Sequence, residues 1–179
     1  MTAGDPSLLH QAVAAALPAH GIEAEVLPCD PALVDTAAFC AHYGYALDDA
    51  ANTILVTSKK VDPPRRAVCV VLGTTRLDVN RTVRERLDAR RVSFADADTT
   101  VELTGMEIGG VTAPGIDGLP VWVDAAVLGR ERVVMGGGNR TSKLVLDPRE
   151  LLKLPGVEVV EGLAAFRPAT DHYRSPAPP

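Results

Sequence analysis

The chain has 179 residues, 46% of them hydrophobic and 23% charged, an ordinary globular usage that excludes a disordered chain or one embedded in a membrane. Its length fits one compact domain, and a formal net charge of -5 argues, taken alone, against a nucleic-acid partner. The placement of the charges qualifies that inference: residues 1–58 hold no Lys or Arg and carry a net of -7, residues 59–91 carry +6, and residues 92–179 carry -4. A basic segment of this kind is either a solvated arginine-rich face or a footprint for a phosphate backbone.

In chain order, Asp5 and Pro6 start a helix with Leu8, Leu9, Val13 and Leu17 at helical spacing, closed by Pro18 and Gly21. Residues 22–26 alternate like a half-buried strand, and Asp30-Pro31 starts a second helix ending at Gly44. Residues 52–57 and the continuously apolar residues 67–72 predict a central hairpin, with Cys69 in the core. Asp78 or Asn80 caps a basic helix through Leu87, residues 91–94 form a short strand, and a further helix ends at Gly105. Residues 120–124, 132–135 and 143–146 are three strands in quick succession, the last two joined by a turn at 136–139. Asp147-Pro148 opens the last helix and residues 157–160 a final strand. Residues 1–166 are then one folded unit and the proline-rich residues 167–179 a flexible tail.

The familiar catalytic signatures are missing. His10, His20, His42 and His172 are scattered, with no metal-ligand spacing, and no serine stands in a nucleophile elbow. Cys29, Cys40 and Cys69 form no CxxC pair, and with no basic leader or membrane-length apolar run the expected location is the cytoplasm. The run from Gly136 to Lys143 matches a phosphate loop only superficially, because Ser142 stands where a glycine belongs; a hairpin turn is the better reading. Residues 109–118 hold four glycines, which either line up main-chain amides for an anion or oxyanion or form a long surface connection; residues 136–140 admit the same two readings.

Taken in order, several motifs resemble the YbaK/ProX family. They are Asn52-Thr53-Ile54-Leu55-Val56, Gly73-Thr74-Thr75-Arg76-Leu77-Asp78, Leu103-Thr104-Gly105 with Gly109-Gly110-Val111-Thr112-Ala113-Pro114-Gly115, Leu119-Pro120-Val121-Trp122-Val123-Asp124, and Gly136-Gly137-Gly138-Asn139-Arg140 with Leu151-Leu152. The resemblance runs from about Phe39 to Val160. It implies an α/β fold with a mixed, barrel-like sheet surrounded by helices. It also implies a free-standing deacylase that hydrolyses the ester of mischarged tRNA without metal or cofactor. Main-chain amides of the loop at Gly109, Gly110 and Pro114 would hold the developing oxyanion, assisted by a water and a ribose hydroxyl. Asn52 stands where many family members have a lysine that holds the acylated tRNA end, and Arg140 is offered as the compensating charge. The substrate-binding residues implied are Thr53, Val111, Thr112, Asp124, Gly137, Gly138, Asn139 and Arg140, with a helix cap as the other reading of Asp124. The partner implied is the aminoacylated 3' end of tRNA, with no membrane. A homodimer and a transient contact with a synthetase or elongation factor stay open. The alternative reading is a catalytically impaired relative that binds tRNA or another partner; a nucleotide binder is the weakest reading.

Overall fold

The computed structural model describes residues 3–166, so the proline-rich stretch from 167 onward lies outside the described residues. Both predicted N-terminal helices are broken in two. Asp5 caps only a 3-10 turn, Pro6–Leu8, and the chain restarts as α1 (Gln11–Ala19) with His10 as its cap. The break coincides with a tertiary bond: the His10 main-chain N–H donates to Gly137 O at 3.0 Å, which takes residue 10 out of a continuous helical ladder. Strand β1 (Glu25–Pro28) begins later than the alternation suggests, because the Ile22 amide still closes the helix onto Leu17 O at 2.8 Å. Asp30 likewise caps only Pro31–Leu33, and Asp35 accepts from Ala37 N and Ala38 N to start α2 (Thr36–Tyr43), which ends at Gly44 with φ 75.

The central hairpin is present. β2 (Ala51–Ser58) and β3 (Arg66–Leu72) pair antiparallel, Ala51 opposite Leu72 through Thr57 opposite Arg66. β4 (Thr75–Leu77) follows, and Asp78, rather than Asn80, caps a widened turn, Val79–Val83, that runs into α3 (Arg84–Arg86). β5 (Val92–Phe94) pairs with the end of β2, and α4 (Ala97–Thr104) stops at Gly105 with φ 68. β6 (Val121–Asp124) runs parallel to β3 and leads into the short α5 (Ala125–Leu128). β7 (Val133–Gly136) and β8 (Ser142–Leu146) form the second predicted hairpin. The last helix is a 3-10 helix, Pro148–Lys153, followed by β9 (Val157–Val160), parallel to β6. β10 (Ala164–Phe166) returns to pair with β4.

The architecture is thus the expected mixed α/β one, but its sheet does not close into a barrel. It comprises a five-stranded sheet β5-β2-β3-β6-β9, a three-stranded sheet β1-β8-β7 and the pair β4-β10. β3 and β6 are central, and their continuous apolar sequence is that of strands covered on both faces. The three-stranded sheet turns Val133, Met135, Leu144 and Leu146 into the main core. Its other face carries Val134 and Val145 into a smaller cluster with Phe39 and Cys40 of α2. That second face, under α2, is where the site lies.

Candidate functional site

A gap in strand pairing makes the site. β2 pairs with β5 at Val56 to Ser58, with one further bond from Ala95 N to Leu55 O at 2.9 Å, and Ala50, the residue before β2, forms a single bridge to Val134 of β7. Between these points the β2 edge opens onto a cleft of about 560 Å³. Asn52 and Thr53 of β2, Thr36 and Phe39 of α2, Gly109 and Val111 of the glycine loop, and Gly136 and Lys143 of the second hairpin all line it.

The two glycine loops are fastened to each other. Gly138 N donates to Gly110 O at 2.7 Å, and Glu107 N donates to Gly138 O at 3.0 Å. The Gly110 amide is already used, donating to Glu107 O at 2.9 Å, so it is not a free oxyanion donor in this conformation. The amides of Gly109 and Val111, by contrast, have no acceptor among the described residues. Two orphan N–H groups at the wall of a cleft are what binding of a carbonyl oxygen requires.

Asn52 is the third source of donors. Its Oδ1 accepts from Thr36 Oγ1 at 2.8 Å, leaving Nδ2 without a partner among the described residues. Thr53 Oγ1 is buried and unpartnered in the same wall. Among the described residues, the one Lys or Arg lining the cleft is Lys143, only 6% exposed. Its Nζ donates to Val34 O at 3.2 Å and sits 5.3 Å from the Phe39 ring centroid, and burial pushes its pKa below the usual lysine value. In the sequence Lys143 only begins a strand and is not among the expected site residues; alternation puts it on the same face as Val145. Cys40 also lines the cleft, but burial pushes its thiol pKa up, as it does for Cys29 and, to about 12, for Cys69. Raised thiol pKa values leave little thiolate, the nucleophilic form.

Several expected site residues lie elsewhere. Thr112 and Pro114 are buried where the loop turns away toward α1; a Cβ at Gly115 would stand 2.8 Å from Ala12 C. Gly137 and Gly138 pack on Ser142 and on His10 and Val13. Asn139 is consumed structurally: Nδ2 donates to Leu8 O at 2.8 Å, and Oδ1 accepts from Thr141 N and from Ser142 Oγ. Arg140 is not the cleft's compensating charge, because its Nη2 donates to Pro31 O at 2.9 Å and its Nη1 to Ile108 O at 3.4 Å, clasping the two loops that flank the opening. Asp124 is 3% exposed and lies outside the cleft; its Oδ1 caps α5 through Ala126 N at 2.8 Å, while Oδ2 accepts from Ala164 N. Among the described residues no group of three or more His, Cys, Asp or Glu is placed to hold a metal ion, and no helix is long and apolar enough to cross a membrane.

The sequence and fold match a known class. The aminoacyl-tRNA editing domain family matches residues 30–154, and the chain belongs to that family. Its fold is shared with a candidate trans-editing enzyme for prolyl-tRNA synthetase, at 24% identity over 89% of this chain and 98% of that one, with a TM-score of 0.74. A hypothetical protein of known structure is 27% identical over 84% of this chain and 98% of its own, with a TM-score of 0.75. A scaffold protein used for computational epitope grafting is 24% identical over 84% and 94%, with a TM-score of 0.73. No curated protein sequence matches.

Proposed function

We propose that this protein is a deacylase that hydrolyses the ester joining a wrong amino acid to the 3' end of tRNA, acting in trans. The observation that carries the reading is the convergence of unpartnered donors, Gly109 N, Val111 N and Asn52 Nδ2, on one cleft in an editing-domain fold. An aminoacyl ester is activated compared with an amide, so positioned amides and a water, assisted by the neighbouring ribose hydroxyl, supply the catalysis without a side-chain nucleophile. Phe94, 55% exposed at the cleft, offers an aromatic face of the kind on which a terminal base stacks. Incubation with a panel of mischarged tRNAs is expected to release amino acid from at least one; no turnover above buffer on any of them overturns the reading. Asn52 favours a second reading, a binding module that has lost its chemistry, and a large gain of turnover in Asn52→Lys would support it.

The basic segment supplies the backbone contacts in this reading. Arg86 is structural, paired with Glu158 and lying 4.8 Å over the Trp122 ring, whereas Arg81, Arg84 and Arg90 are exposed with side chains unpaired among the described residues. Converting these three to Glu is expected to weaken tRNA binding by about tenfold or more and to reduce the slope of log affinity against log salt by roughly one per lost phosphate contact. Filter binding across a salt series measures both; an unchanged slope makes them a solvated face.

A further inference from the structure

We propose that Lys143 supplies the positive charge of the cleft, its ammonium receiving the ester carbonyl oxygen as that oxygen becomes negative. The inference rests on the deacylase reading and adds the residue that stabilises its transition state.

Three observations converge on it. First, an ammonium has three N–H donors, and Lys143 Nζ has one acceptor, the neutral Val34 carbonyl, and no ion pair among the described residues. Second, its burial is not explained by stability. An ammonium taken out of water without a carboxylate partner destabilises a fold, and an apolar side chain of similar length would fill the space beside Phe39 better. Third, the sheet register puts it on the face that the glycine loop crosses. Gly136 is directly opposite Lys143, and paired residues of an antiparallel ladder project from the same face. On that face the Gly136 Cβ direction runs into Gly110 O at 2.2 Å and Val111 O at 2.8 Å, so the main chain carrying the free amides rises over the strand pair that carries Lys143.

The chemistry selects among the roles open to a lysine here. A neutral amine attacking the ester would form a stable amide and stop after one turnover, so Lys143 is not the nucleophile. Water attacks instead: its oxygen bonds the carbonyl carbon, and the carbonyl π pair moves to the oxygen held by Nζ and the Gly109 and Val111 amides. Collapse re-forms the carbonyl and breaks the bond to the ribose 3'-oxygen, which takes the proton from the water; free amino acid and deacylated tRNA result. Burial opposes the charged form of the ammonium and the Asp35 carboxylate favours it; Cys29 and Cys40 also face it but favour it only as thiolates, which their raised pKa values leave scarce.

The test compares wild type, Lys143→Met, Lys143→Arg and the double variant Lys143→Met/Asn52→Lys on a mischarged tRNA that the wild type turns over. Lys143→Met is expected to lose roughly 10²–10³ in kcat, the range for removing one oxyanion donor, with KM changed only a few-fold and thermal stability kept or raised. Lys143→Arg is expected to retain most of kcat. A lysine at position 52, in the wall of the same cleft, is expected to restore at least tenfold of the loss. A kcat within about threefold of wild type in Lys143→Met overturns the proposal while leaving the deacylase reading intact. A loss confined to KM, a Lys143→Met protein that fails to fold, or a loss that neither Lys143→Arg nor Asn52→Lys relieves overturns it as well. A wild type inactive on the whole panel removes the deacylase reading and this role together.

Discussion

A single methyl group added at Gly110 or Gly136 is expected to unfold most of the protein or to lower its melting temperature by roughly 10 °C or more. A Cβ at Gly110 would stand 2.0 Å from Asn139 O and 2.4 Å from Asn139 C, and one at Gly136 would stand 2.2 Å from Gly110 O. These neighbours are main chain, fixed by the bonds that zip the two loops together, so no rotamer change relieves the overlap. Ordinary overpacking costs about 1–3 kcal/mol because side chains yield; a forced main-chain shift of more than 1 Å belongs to the rare class near 4–5 kcal/mol. That is a large part of the ~5–15 kcal/mol by which a domain is stable. Gly129→Ala is the control, since its Cβ would meet only Ala126 O, at 3.3 Å, in a right-handed conformation. Thermal unfolding of the three variants decides the matter: Gly110→Ala within a few degrees of Gly129→Ala would show the loops free to part. The same stacking of Gly136, Gly110 and Asn139 holds the Gly109 and Val111 amides at the cleft, so a variant that survives folding is expected to lose turnover as well.

The sequence carried the strands further than the helices. The apolar runs of β3, β6, β7 and β8 are legible because a strand covered by neighbours must be apolar at nearly every position, and β2 is legible from its β-branched residues beside them. The breaks before α1 and α2 are not, because they depend on partners distant in sequence, such as Gly137 O for the His10 amide. β4 and β10 are not legible because each is a three-residue strand whose pairing partner is the other, far away in the chain. At the site, the motif order names Asn52, Thr53, Gly109 and Val111, which line one cleft. It could not say which polar groups of the two glycine loops were free. Asn139 and Arg140 look like ligands in a list of residues, and only the carbonyls of Leu8, Pro31 and Ile108 show them to be occupied. Lys143 was hidden for the converse reason: a lysine at the start of an exposed-looking hairpin strand signals solvent until α2 is known to cover it.

Asp124 separates a structural from a substrate role most sharply. It is a carboxylate 3% exposed, with one oxygen capping α5 and the other accepting the Ala164 amide at the start of β10. Asp124→Ala removes a cap worth about 1 kcal/mol and a charge-assisted bond worth about 1.5–3 kcal/mol, and it leaves the Ala164 N–H facing a cavity. The expected loss is about 2–4 kcal/mol, a fall in melting temperature of roughly 5–15 °C. Asp124→Asn is expected to recover little of it. If its Oδ1 keeps the cap, the amide NH2 replaces Oδ2 and sets donor against donor at Ala164. Because neither oxygen reaches the cleft, turnover per folded molecule at low temperature is expected to stay within a few-fold of wild type for both variants. Denaturant melts paired with deacylation rates measured well below the midpoint make the test. A large change in kcat or KM with an unchanged melt would return Asp124 to the substrate, whereas the opposite pattern fixes it as the tie that holds β10, and through it β4, against the start of α5.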